Sequence, residues 1–132
     1  MTKQEEPGNL PTTVTHEDLA HAVADSCGMK YSKDGKRLLS APKELKGRYE
    51  VKEGTTVICD SAFSRCEQLV SVDIPDDVTC IDDLAFEYCH SLNEVIIPDT
   101  AVTIGRNVFY GCESLNPATK AKIMPRFGNQ VF

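Results

Sequence analysis

The sequence predicts an α/β repeat solenoid, a right-handed slab of short parallel strands and helical turns with a helical cap at each end. Three observations predict it. Residues recur at a fixed period of 23, one half of each period alternates like a strand, and the other half spaces its apolar residues like a turn of helix. A fixed period of this size decides the architecture before any local reading.

The period is carried by several residue types in one register. Phe63, Phe86 and Phe109 keep it, as do Cys66, Cys89 and Cys112, Leu69, Leu92 and Leu115, and Ile58, Ile81 and Ile104. Val72 with Val95, Ile74 with Ile97, and Pro75 with Pro98 share the same offset. A partial unit precedes them, with Tyr49 at the Val72 position and Val51 at the Ile74 position, so the repeated block runs over 49–116. Each unit is too poor in apolar groups to bury itself, so units must stack with equivalent side chains in ladders.

Within a unit, LVSVDIP and LNEVIIP alternate at Val72, Ile74 and Val95, Ile97, the pattern of a strand with one face buried. Such strands pair in parallel across units, and Pro75 and Pro98 end them because proline cannot donate to a ladder. A second short strand is expected around VTCI and TAVTI. The half-units DSAFSRC and DLAFEYC suit about one helical turn, with Asp60 and Asp83 placed to accept from its exposed amides.

An open solenoid exposes a hydrophobic cross-section at both ends, and both ends offer a cap. Residues 1–14, rich in Gln, Glu, Pro, Gly and Thr, read as a flexible tail. The N-terminal helix and hairpin cap spans 15–48. There Thr15 and Asp18 resemble a capping box, and LAHAVADSCG reads as one amphipathic helix carrying Leu19, Val23 and Cys27 before Gly28. The C-terminal cap spans 117–132. Pro117 suits a first helical position, Gly128 a terminator, Ile123, Met124 and Phe127 an apolar face, and Pro125 keeps the helix to a few turns.

The recurring pattern I-x-D-x-A-F-x-x-C-x-x-L-x-x-V-x-I-P-x-x-V-T resembles the BspA-like class of leucine-rich repeats, known from bacterial surface proteins and some protozoa. The match covers residues 49–116 closely. YSKDGKRLLSAPKELKGRYEV resembles the strand, D-G turn and strand that often lead into such arrays. The resemblance implies a leucine-rich-repeat fold, binding to proteins, adhesion, and no shared catalytic constellation.

Composition narrows the function classes. The formal net charge is −6, and the basic cluster of Lys43, Lys46 and Arg48 is interrupted by Glu44 and Glu50, which argues against a nucleic-acid partner. No apolar run approaches the ~20 residues of a membrane span. A soluble protein without membrane insertion, and a monomer, is expected. The N-terminus has no apolar signal core, which places the chain in the cytoplasm, or at the cell surface or secreted where a leader has been removed.

The six cysteines could be disulfides, metal ligands or buried thiols. Stacked Cys66, Cys89 and Cys112 would lie about 4.8 Å apart with parallel side chains, a poor geometry for a bridge, so they read as buried thiols. Cys59 and Cys80 fall on the opposite parity and are expected nearer the surface. Cys89 beside His90 is the nearest approach to a metal site, and adjacent residues point apart; neither a metal nor a cofactor is expected. For catalysis, the runner-up is a solenoid hydrolase using Asp73 and Glu94, but the repeat places no His, Lys or further carboxylate beside them. The chain is therefore read as no enzyme but a protein interaction module, with a structural spacer or self-association module as the alternative.

Alternation assigns the binding surface. If Val72, Ile74, Val95 and Ile97 point inward, then Arg48, Ser71 and Glu94 form one outward column and Glu50, Asp73 and Ile96 a second. Acidic groups predominate, which favours a partner with a basic patch, and Ile96 amid charges is a candidate anchor. The turn side around Arg65, Tyr88 and Tyr110 is the next candidate.

Overall fold

The computed structural model describes residues 11–100 and 102–132. In chain order its elements are α1 (His16–Ala20), β1 (Val23–Ala24), β2 (Lys30–Tyr31), β3 (Arg37–Ser40), β4 (Lys46–Glu50), β5 (Val57–Ile58), β6 (Gln68–Asp73), β7 (Cys80–Ile81), β8 (Glu94–Ile96), β9 (Thr103–Ile104), α2 (Pro117–Phe127) and a 3-10 turn at Asn129–Val131.

The strands form two parallel stacks, one per strand of the coil. β4, β6 and β8 pair in parallel, with Ser71 opposite Glu94, Val72 opposite Val95 and Asp73 opposite Ile96, the 23-residue offset of the sequence. β3, β5, β7 and β9 form the second parallel run, and β1 and β2 extend it by antiparallel pairing. Inward side chains of both stacks share one core: Leu38, Ile58 and Ile81 from one, Val72 and Val95 from the other. The rings of Phe63 and Phe86 stack at 4.7 Å, and those of Phe86 and Phe109 at 5.6 Å. Such offset stacking adds to the burial energy of each ring.

The other half of each coil is tighter than a helical turn. Ala62, Ser64 and Cys66 donate back to Cys59, Ser61 and Phe63, and Ser61 and Arg65 adopt left-handed φ of 56° and 64°, which stop a helix. This half forms its own ladder between coils: Phe63 N–H donates to the Ala85 carbonyl at 2.7 Å and Phe86 N–H to Val108 at 2.8 Å. Asp83 therefore does not cap its own coil. Its carboxylate accepts from the Arg106 N–H of the next coil at 2.8 Å.

The N-terminal region departs from its expected single helix. The capping box of Thr15 and Asp18 forms, but α1 ends at Ala20 with no buried residue, and Val23 pairs with Tyr31 as a strand. Leu19 and Val23 are consequently 40% and 52% exposed, and Cys27 is exposed. Asp25 causes the break, since its carboxylate accepts from the N–H groups of Cys27 and Met29, a turn that competes with helix. The hairpin expected around Asp34-Gly35 is present as β2 and β3.

Residues 11–14, read as part of a tail, lie against the body; the rest of that expectation, 1–10, lies outside the described residues. Arg37, nearly buried, donates to the Pro11 and Thr13 carbonyls and holds Asp18 through two hydrogen bonds of 3.0 and 3.1 Å. Asp60 N–H donates to the Thr12 carbonyl. This cover explains a second correction: Cys59, expected near the surface, is 0% exposed, packed with Leu39 and Val57 beneath Val14 and Ala22.

At the other end α2 starts on Asn116, whose side chain accepts from Thr119 N–H, and on Pro117, and it closes at Gly128. Thr119 and Ile123 are buried and Phe127 packs on the core. Met124, expected on the apolar face, is exposed because it follows Ile123 directly around the helix.

Candidate functional site

The two outward columns exist as residue pairs of the ladder: Arg48 opposite Ser71 opposite Glu94, and Glu50 opposite Asp73 opposite Ile96. The sheet therefore brings all six predicted residues onto three neighbouring strands. Arg48, Glu50, Glu94 and Ile96 are exposed.

The centre of the face differs from expectation. Ser71 is only 9% exposed, and its Oγ meets no hydrogen-bond partner among the described residues. Asp73 is half-buried: one carboxylate oxygen takes the Arg48 guanidinium, while the other is buried without a partner among the described residues. Arg48 also lies 3.8 Å from Glu50, so it crosses from its own column to the acids of the other. Alternation says which side chains point outward, but a long side chain reaching across the strands decides which are covered. The face thus carries two buried oxygens with unused acceptor capacity at its middle and a carboxylate and an aliphatic side chain at its edge strand. Leaving such groups unpaired is costly.

Val70 is an exposed apolar residue that sequence reasoning missed. The register of β4 with β6 shifts between Gly47 and Arg48, so Leu69 and Val72 both point inward across an odd interval. A simple period of two cannot show that.

Beyond β8 lies a groove of about 760 Å³ whose walls are β8 and α2. Glu94 and Ile96 form its strand-side lip, and Lys122 and Arg126 lie on the helix wall. On the turn side, the Arg65 guanidinium stacks 4.6 Å from the centre of the Tyr88 ring, and Tyr110 meets that ring edge-on at 5.5 Å. Tyr88 lies on the backbone of Gly111, where an added Cβ would stand 2.4 Å from its ring.

The cysteine ladder is built into the core. Cys89 Sγ donates to the Phe63 carbonyl at 3.1 Å and Cys112 Sγ to the Phe86 carbonyl at 2.9 Å. Burial pushes the Cys66 thiol up to about 11, and the Cys89 thiol is also raised, by its contact with Cys112 and by burial. Cys66 and Cys89 are thereby held as thiols, poor nucleophiles and poor metal ligands. His90 stands exposed against the edge of Tyr88 while Cys89 is buried, so the two do not converge.

A further buried network joins the N-terminal cap to the repeats. The Tyr31 and Tyr49 hydroxyls lie 2.6 Å apart, and Tyr49 donates to Asp25 at 2.7 Å. Burial raises both phenols above their ordinary range, so they stay protonated and act as links.

A family model for the BspA type leucine rich repeat region matches residues 47–132 in 6 copies. No curated protein matches the chain. Among solved structures, a leucine rich cell surface protein from Faecalibacterium prausnitzii aligns with TM-score 0.64 and 27% identity over 73% of this chain and 26% of that one. The pneumococcal vaccine antigen PcpA aligns with TM-score 0.62 and 18% identity over 73% of this chain and 30% of that one, a likeness of fold alone. A Treponema pallidum leucine rich repeat protein aligns with TM-score 0.56 and 25% identity over 64% of this chain and 42% of that one. The chain thus spans under half the length of the structures it resembles.

Proposed function

The chain belongs to the BspA type leucine rich repeat family, and on that premise we propose that it is a non-catalytic protein-interaction module whose β4–β6–β8 face holds the partner. The observation that carries this reading is the centre of that face, where the Ser71 hydroxyl and one Asp73 oxygen are buried without partners among the described residues, between exposed Arg48, Glu94 and Ile96. Neither oxygen is accessible in the structure, so a partner's cationic or amide donor would satisfy them by displacing the side chains that cover them, and a basic surface would complement the exposed Glu50 and Glu94. Encounter then weakens with salt.

The same residues speak against the hydrolase alternative. Asp73 is engaged by Arg48, and Glu94 stands exposed on the next strand, with its register partner Ser71 supplying no acid or base. We further propose that the protein works at the cell surface or is secreted; the F. prausnitzii neighbour is described as a cell surface protein, and among the described residues no helix is long and apolar enough to cross a membrane. Protease shaving of intact host cells tests the location.

The test of the face is a triple variant, Asp73→Lys, Glu94→Lys and Ile96→Ser, compared with the parent against the protein recovered in a cross-linked pull-down from the host. Loss of binding by a variant that still unfolds cooperatively and keeps the parent's circular dichroism spectrum supports the face. Full binding by the triple variant transfers the site to the turn side around Arg65, Tyr88 and Tyr110.

A further inference from the structure

We propose that the groove between β8 and α2 receives an extended peptide segment of a partner protein, which pairs in parallel with β8 as a fourth strand. The inference rests on the reading of the chain as an interaction module, but uses main-chain groups and a wall that the strand face does not.

The open edge follows from the register. Val51 N–H donates to the Asp73 carbonyl at 3.0 Å, and Ile74 N–H donates to the Ile96 carbonyl at 2.9 Å, each reaching one coil forward. Carried one coil further, the Ile97 N–H faces the space where a strand at 117–119 would lie. Up to Asn116 the chain keeps this register: Asn116 N–H donates to the Asn93 carbonyl at 2.9 Å, and the two side-chain amides meet at 3.1 Å. Then it leaves. Pro117 has no N–H to give to β8, and the Asn116 side chain caps a helix instead, so residues that would have formed the next strand become α2. The groove is the strand position this substitution leaves open. An unpaired edge with a cavity beside it is the geometry used for strand addition, in which main-chain bonds supply affinity and alternate side chains supply selectivity.

The columns specify the occupant. The added strand places one side chain beside Glu94 and, two residues on, another beside Ile96, so a basic residue followed after one position by an aliphatic one is favoured. The intervening residue points under α2, where Lys122 and the small residues Ala118 and Ala121 line the wall, and is therefore short or acidic. Arg126 is bonded to the Thr100 carbonyl at 3.1 Å and closes one end.

The experiment is selection of a random peptide display library on the full chain, followed by fluorescence polarisation of synthetic winners. Enrichment of the basic, short or acidic, aliphatic order is expected. N-methylation of an amide facing β8 should weaken binding about threefold to tenfold per bond, while methylation of alternate amides should leave it unchanged. Glu94→Lys should abolish the preference for a basic residue. Selection without that order, equal tolerance of methylation at both sets of amides, or a sedimentation mass showing the edge taken by a second copy overturns the proposal. If the Asp73 variant keeps partner capture while peptides still bind the groove, the face reading alone falls; if the parent captures its partner but binds no selected peptide, only the groove falls.

Discussion

Phe132 stands against Phe109 at a ring-centroid distance of 6.1 Å and lies 23 residues beyond it, the next rung of the phenylalanine column. The residues before it complete the match: Gly128-Asn129-Gln130-Val131-Phe132 repeats the register of Gly105-Arg106-Asn107-Val108-Phe109. The backbone ladder continues too, with Asn107 N–H donating to Gln130 at 2.8 Å and Phe109 N–H to Val131 at 2.7 Å. The segment 117–132 is therefore one more coil in which a helix takes the place of strand, turn and strand.

Stability should fall in a graded way along this column. Phe86→Ala removes a fully buried ring held between two others and should cost about 3–5 kcal/mol. Phe132→Ala empties a half-buried position with one tilted aromatic neighbour and should cost less than half of that. A chain cut after Leu115 loses both α2 and Phe132, uncovers the core ends, and should melt far below the parent or aggregate. Urea titrations giving equal losses for the two phenylalanines would sink the ladder account.

Thiol labelling of the folded protein should give one fast group, Cys27, and a slower Cys80, which is half-buried and raised by burial. Cys59, Cys66, Cys89 and Cys112 are buried and should react only on unfolding. Mass mapping after a short pulse of iodoacetamide distinguishes them. Early modification of Cys59 would show that residues 11–22 do not cover it.

The repeats were legible because the period is written in residue identity, so Phe63, Cys66, Leu69 and Val72 declare their inward register directly. What was not legible depends on long-range cover. Ser71 follows the outward parity but is shielded where Arg48 crosses the face, and Cys59 is buried because Arg37 anchors the chain over it. Leu19, Val23 and Cys27 keep a helical spacing by coincidence, while the Asp25 turn decides the conformation. Phe132 was within reach, since its 23-residue offset from Phe109 is in the sequence; the helical composition between them hid it.

Acid should release the N-terminal segment. The Arg37 guanidinium holds the Asp18 carboxyl well below its ordinary 3.8, and that carboxyl also caps Thr15. A depressed carboxyl contributes stability that is present above its unfolded value and lost as pH falls through the folded one, so the loss begins below about 3.8. Hydrogen exchange at the Asp60 amide, which donates to Thr12, should accelerate there relative to Phe86. Arg37→Met at neutral pH should mimic it, costing on the order of 2–3 kcal/mol, less than for a fully buried pair because the Asp18 side chain keeps 23% exposure.

Two glycines should resist substitution for different reasons. A Cβ on Gly105 would stand 2.3 Å from the Asp83 carboxylate and 2.6 Å from its backbone nitrogen, displacing the bond that Asp83 makes to Arg106. At Gly111, φ is 78° and the obstruction is the Tyr88 ring. Gly105→Ala should therefore stay destabilising in every background. Gly111→Ala should recover part of its loss when Tyr88 is also changed to Ala, a double-mutant cycle that would read zero coupling if the ring did not rest there.

Ser71 separates stability from binding. Its Oγ is buried without a partner, so folding already bears the desolvation cost of the hydroxyl. Ser71→Ala removes that cost with little change of volume and should be neutral or stabilising by up to about 1 kcal/mol. If the partner's donor uses the Ser71 oxygen, the same substitution should weaken binding, since the donor then enters the interface unpaired. Asp73→Asn extends the argument. It keeps the shape, gives up the charge that Arg48 answers, and puts an amide donor beside the incoming one, so binding should fall further and lose part of its salt dependence. Melting curves and binding isotherms at two salt concentrations report both effects. A Ser71→Ala variant that melts lower and binds as well as the parent would mean that the hydroxyl serves the fold and that the partner does not reach the middle of the face.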